Sequence, residues 1–159
     1  MGTINKGFSI AMVTLDGGRI NIAAQSLGIV ASLFDEALIH AKTREQWGKK
    51  LWDHQVNRHY FADSYAELLS GWFTVFTASQ IRDEQKGKRI TMISSPIKLT
   101  ATETALRVAI RMARMFGGSL ATEEITKKID ACDKILQALV TTIYEGSSEM
   151  QKEAIATHL

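Results

Sequence analysis

Proline occurs once in this chain, at Pro96, and cysteine once, at Cys132. A lone cysteine excludes an internal disulfide, and a reducing compartment is the default, the cytoplasm or, in a eukaryote, the mitochondrial matrix. His40, His54, His59 and His158 form no His-x-x-x-His pair and have no cysteine partner, so no metal site is expected. Neither sign of charge prevails: 19 basic and 17 acidic residues leave a net charge of +2. They are scattered, so no concentrated positive face awaits a nucleic acid. No apolar run is expected to approach the ~18 residues of a membrane span, and Met1 to Lys6 carries no leader pattern.

What remains is helical. With 159 residues and 45% hydrophobic content the chain can bury one core, so a single domain over 1–159 is expected. Apolar residues at Ile20, Ala24, Leu27, Ala31, Phe34, Leu38 and Ala41 keep one stripe in register with a helix, which Asp16 can cap. Thr43 to Trp52 reads as a connection around Gly48. Asp53 then opens a second helix, supported by Phe61, Tyr65, Leu68, Trp72 and Phe76 and stopping near Gly87. A third starts around Ser94-Ser95-Pro96, or earlier at Thr91, and runs to Gly117-Gly118. A fourth starts at Thr122-Glu123-Glu124 and proceeds through Ile125, Ile129, Leu136 and Val140, bent near Asp130, to Tyr144. Ser148 to Leu159 forms a short last helix. The expected fold is all-α, an antiparallel four-helix bundle with a short additional C-terminal helix.

The richest stretch is Ile143-Tyr144-Glu145-Gly146-Ser147-Ser148-Glu149-Met150-Gln151. Read from residues alone it is a helix end, with Gly146 supplying a left-handed turn and Ser148-x-x-Gln151 a capping box for the next helix. It also sets the Glu145 carboxylate at a break between helices, where a ligand could meet it. The adjacent acidic pairs Asp35-Glu36 and Asp83-Glu84 point to different sides of their helices and suit solvated faces.

Three further motifs accompany it in order: Gly7-Phe8-Ser9-Ile10-Ala11-Met12, Asp16-Gly17-Gly18-Arg19 with Ala23-Ala24-Gln25, and Thr43-Arg44-Glu45-Gln46-Trp47-Gly48-Lys49. Together with Tyr144-Glu145-Gly146-Ser147 they resemble the C-terminal helical domain of acyl-CoA dehydrogenases over nearly the whole chain. The resemblance implies FAD as cofactor, an acyl-CoA thioester as substrate, a homo-oligomer (dimer or tetramer) and an electron-transfer flavoprotein as a possible partner. It implies Glu145 as the base that removes the α proton while the β hydrogen leaves as hydride, with Gly146 beside the thioester. A carboxylate becomes a stronger base in an apolar, water-poor setting, and Ile143, Tyr144 and Met150 could supply one.

The resemblance gives Arg44 to the FAD pyrophosphate across a subunit interface, which its bidentate guanidinium suits, and places Trp47 near the flavin nucleotide where phenylalanine is usual. Ser147 and Glu149 fall at FAD contacts, with Glu149 replacing a frequent glutamine, and Arg19 falls on the CoA side of the cleft. Read on their own, Arg44 is a solvated helix-end charge, Trp47 a core aromatic and Arg19 a surface partner of Asp16. Gly117-Gly118 matches a glycine pair that lets the dinucleotide approach, but Arg114 stands in place of a glutamine and Leu120-Ala121 in place of a Gly-aromatic pair. The spacing from Thr122 to Tyr144 is about five residues longer than the common pattern, and the family's Arg-Asp-Ala element is not recognisable.

The family's N-terminal helical and middle β domains are absent from this sequence, so it is expected to be an excised domain or a truncated subunit that does not turn over alone. Two alternatives stay open: a helical self-association module that has lost cofactor binding, and a flavin monooxygenase on the same fold, which would need no base at position 145.

Overall fold

The computed structural model describes residues 4–122 and 130–159. Four helices build the bundle: α1 (Gly7–Thr43), α2 (Gln55–Glu84), α3 (Thr91–Ala113) and α4 (Ala131–Thr141). A fifth, α5 (Ser148–Ala156), packs on α3. Side-chain ties set their directions. Arg82 donates to the Val13 carbonyl and Leu27 abuts Gly71, so α2 runs back along α1. Arg19 reaches Ser95 and His40 stacks on Phe116, so α3 runs parallel to α1. Lys134 meets Glu36 and Tyr144 meets Gln25, so α4 is antiparallel to α1.

The core forms where α1 and α3 run side by side. Leu27, Val30 and Leu33 of α1 face the small residues Ala101, Ala105 and Ala109 of α3, and Phe61 and Leu68 of α2 close one flank. Alanines at every fourth position let the two backbones approach closely. Of the residues expected to support α2, Phe61 and Leu68 are buried, whereas Tyr65, Trp72 and Phe76 are largely exposed. Val75 and Ala78 take the inward places instead: Val75 continues the seven-residue spacing of Phe61 and Leu68, and Ala78 follows one turn later on the same face.

The first helix starts at Gly7, well before the expected boundary, so Asp16 is not a cap but a fully buried carboxylate inside α1. This helix is also long and apolar enough to cross a membrane by length and composition, with a window of mean hydropathy 1.5, which corrects the expectation that none is. Its apolar residues have a structural reason here, since they line the core.

The connection after α1 is a hairpin, β1 (Glu45–Gln46) antiparallel to β2 (Lys49–Lys50). Its turn residues Trp47 and Gly48 both take positive φ (53° and 75°), as two-residue hairpin loops require. A 3₁₀ turn over Leu51–Asp53 follows, so α2 opens at Gln55 rather than Asp53. Helix α2 ends at Glu84, just before Gly87. Helix α3 begins at Thr91, the earlier of the two expected starts, and carries Pro96 in its second turn. After α3 a 3₁₀ segment, Arg114–Ala121, breaks at Gly117 (φ 55°). The expected fourth-helix start at Glu123-Glu124, with Ile125 and Ile129, lies outside the described residues. Asp130 is left-handed, and α4 ends at Thr141, short of Tyr144.

Candidate active site

Beyond α4 the chain folds back on itself: the Ile143 N–H reaches the Val140 carbonyl, and the Ser148 N–H returns to the Thr142 carbonyl at 3.0 Å. Within this turn Glu145 (φ 55°) and Gly146 (φ 93°) are both left-handed. That conformation costs a residue with a Cβ roughly 1–2 kcal/mol, so the surroundings must hold Glu145 there. They do so through carbonyls. The Lys98 ammonium donates to the Gly146 carbonyl at 2.9 Å, and the Gln151 amide donates to the same oxygen at 2.8 Å and to the Glu145 carbonyl at 3.3 Å.

The Glu145 side chain lies against α1. A Cβ built on Gly18 would stand 2.7 Å from its Oε2, so the carboxylate occupies space that only a glycine leaves open. Beside it the Tyr144 hydroxyl donates to Gln25 at 2.9 Å, and burial pushes that phenol above its ordinary value.

Ser147, not Ser148, caps α5, accepting the Met150 N–H. The expected capping box is therefore displaced by one residue. Ser148 instead donates to Glu103, and Gln151 is fully buried beneath the turn. The backbone N–H of Glu149 and the Ser147 hydroxyl hold the exposed Glu149 carboxyl below its usual range, so it stays ionised at the start of α5.

Under the turn lies a buried polar cluster. Asp16 accepts from Arg19, Arg89, Thr91, Ser94 and the Ile90 N–H. Burial alone would raise its pKa, but the Ile90 N–H, Ser94 and Arg89 outweigh this and hold it below the usual carboxylate range. Arg19 is buried with it, which corrects the reading of a surface ion pair. Among the described residues its Nε has no hydrogen-bond partner, and its Nη1 reaches Asp16 and Ser95 rather than Glu145.

A second feature lies at the hairpin end. A cleft of about 490 Å³ is bounded by Arg44, Trp47, Arg114, Phe116, Gly117 and Gly118, among others. Arg44 and Arg114 are exposed, and Trp47 is 85% exposed, so it is not the core aromatic of the bland reading. Cβ atoms on Gly117 or Gly118 would meet nothing within 4 Å. Two exposed guanidiniums, a bare backbone and an open indole suit an anionic dinucleotide. His40 flanks the cleft on Phe116, and burial first, then Arg44, lowers its pKa, so it is neutral near pH 7.

The ten residues singled out in the sequence thus fall into two groups. Arg44, Trp47, Arg114, Gly117 and Gly118 line the cleft, whereas Glu145, Gly146, Ser147 and Glu149 form the turn, with Arg19 below it. Gly18 was read only as part of the Asp16-Gly17-Gly18-Arg19 motif and Gln151 only as a capping-box residue, and Lys98 was not singled out. Gly18 carried a signal, a second consecutive glycine inside a helical stripe, but nothing in the local pattern marks Lys98 as buried.

The model of the acyl-CoA dehydrogenase C-terminal domain matches residues 5–159. A short-chain specific acyl-CoA dehydrogenase of Clostridium acetobutylicum is 38% identical over 156 residues, 98% of this chain and 40% of that protein. CarC, a subunit of the caffeyl-CoA reductase-Etf complex of Acetobacterium woodii, is 34% identical over 98% of this chain and 40% of its own length. The solved butyryl-CoA dehydrogenase of Megasphaera elsdenii superposes with a TM-score of 0.88 at 34% identity, covering 99% of this chain and 39% of that one. The chain belongs to the acyl-CoA dehydrogenase family and corresponds to its C-terminal helical domain. It spans about 40% of the length of these relatives.

Proposed function

We propose that this domain supplies the catalytic base and part of the cofactor site of a flavin-dependent acyl-CoA dehydrogenase, an oxidoreductase that desaturates an acyl-CoA thioester between its α and β carbons. The observation that carries the reading is the Glu145 carboxylate, set on a left-handed turn and lodged over the bare backbone of Gly18. A base that must meet one carbon of a bound thioester needs this kind of fixed placement.

In the proposed reaction Glu145 takes the α proton. Among the described residues no backbone carbonyl takes up its own N–H, and that group suits the thioester oxygen, where negative charge develops as the proton departs. FAD, when bound, accepts the β hydrogen as hydride. Arg44 and Arg114 suit its diphosphate, and Trp47 and Gly117-Gly118 leave room for it, whereas Ser147 and Glu149 sit at the other group. Two half-sites at separate places on one domain fit a dinucleotide held between subunits, and hence a homo-oligomer. The exposed aromatic face of α2, with Phe73 and Phe76 about two-thirds exposed, supports that assembly. An electron-transferring flavoprotein is the partner suggested by the relative found in an Etf complex.

The test is Glu145→Gln in the complete subunit. Desaturation is expected to fall by about a thousandfold, within the roughly 10²–10⁴ range typical of general-base loss, with FAD retained. Activity within tenfold of wild type would overturn the assignment of the base.

A further inference from the structure

Lysine is seldom buried, because removing an ammonium from water costs several kcal/mol unless its partners compensate. Lys98 is nonetheless the largest side chain in the described structure that is fully enclosed. No carboxylate lies within ion-pair distance of its nitrogen among the described residues, and its one hydrogen bond goes to the Gly146 carbonyl. A charge kept inside a fold for one backbone oxygen calls for a reason at that oxygen. The oxygen belongs to the residue immediately after Glu145, the second of the left-handed pair.

We propose that Lys98 is a positioning residue for Glu145: its buried ammonium and the Gln151 amide together clamp the Gly146 carbonyl, fixing the turn and thereby the direction of the catalytic carboxylate. This rests on the reading of Glu145 as the base. Two donors on one carbonyl define its plane and direction, whereas one leaves the peptide free to rock. Gln151 is fully buried, so neither donor can be replaced readily by water.

The ammonium also places a positive charge near the carboxylate. The charged groups facing it are Glu103 on its own helix, Arg19 from α1, Glu145 in the turn and Glu149 from α5. Burial, the largest influence, lowers the Lys98 pKa, and the three carboxylates oppose that.

The two donors can be separated in the complete flavoenzyme. Lys98→Met keeps the volume while deleting both the bond and the charge. Gln151→Leu deletes only a bond. Each variant is examined by its flavin content and by kcat and KM for an acyl-CoA substrate, with Glu145→Gln in parallel. Lys98→Met is expected to lower kcat per flavin about 10- to 100-fold with KM within about threefold, the pattern of a misplaced base. Gln151→Leu is expected to lower kcat per flavin in the same way, KM again holding. A merely structural lysine would reduce the yield of flavin-loaded enzyme but leave kcat per flavin unchanged, and that result overturns the proposal. Should Lys98→Met yield no holoenzyme, Gln151→Leu decides: wild-type kcat per flavin would overturn the clamp, and a fall in kcat at constant KM supports it. If Glu145→Gln stays active, the base assignment itself has failed. If it is inactive while Lys98→Met and Gln151→Leu behave as wild type, only the positioning role has failed.

Discussion

Replacing Asp16 by asparagine changes one atom and almost no volume, yet it should be among the most damaging substitutions in the chain. The carboxylate is fully buried and both oxygens accept only donors: Oδ1 takes Arg19, Thr91 and Ser94, and Oδ2 takes Arg89, the Ile90 N–H and Thr91. Whichever oxygen becomes an amide nitrogen will face donors with a donor. Arg19, whose side chain is 7% exposed, also loses the only carboxylate paired with it among the described residues. Removing one partner of a buried pair costs about 3–5 kcal/mol, because the remaining charge is left uncompensated. For a domain of this size each kcal/mol shifts Tm by about 2–4 °C, so Asp16→Asn should melt roughly 6–20 °C below wild type at pH 7. The sign of the pH dependence follows from the depressed native pKa. The unfolded chain binds the proton first, so the contribution of Asp16 is complete above its ordinary value of 3.8 and is lost as pH falls through the lower native value. Asparagine does not titrate, and the gap between the two proteins should therefore narrow below about pH 4. Urea denaturation of both proteins at several pH values measures it. A loss under about 1 kcal/mol at pH 7, or a gap that widens in acid, would refute the account of this cluster.

Gly146→Ala should be destabilising by at least about 1–2 kcal/mol from its left-handed backbone alone, and the new Cβ would meet the Gln151 amide at 2.5 Å. Chemical denaturation and kcat should both register it, since that amide holds the turn. Arg44→Ala in the complete subunit should lower flavin retention after gel filtration, read from the visible absorption band, with the melting temperature of the isolated domain within a few degrees because Arg44 is exposed. Unchanged flavin content would remove Arg44 from the cofactor site.

The helical class and the order of the elements were legible because apolar residues recur at helical spacing through most of the chain. Boundaries were less so. The start of α1 was placed late because Asp16 looks like a cap when only its neighbours are considered, and all its partners but Arg19 are 73 to 78 residues away. Tyr65, Trp72 and Phe76 were given to the core because apolar character alone does not say which side of α2 faces inward. At the site, Glu145 was legible as a carboxylate at a helix break. Lys98 was not, since nothing in Pro96-Ile97-Lys98-Leu99 distinguishes a buried lysine from a solvated one; only the tertiary approach of the Gly146 carbonyl does. Likewise Ser147 and Ser148 are interchangeable as caps in sequence, and the contact of Ser148 with Glu103 decides between them.

The outward side of α2 has a consequence for how this bundle behaves by itself in water. Tyr65, Leu69, Trp72, Phe73 and Phe76 leave a sticky surface on an otherwise finished bundle. Under the proposed assembly that surface is covered, and a bundle kept from it is a species prone to precipitation. Substitutions that slowed such an assembly would then first appear as a shortage of soluble protein.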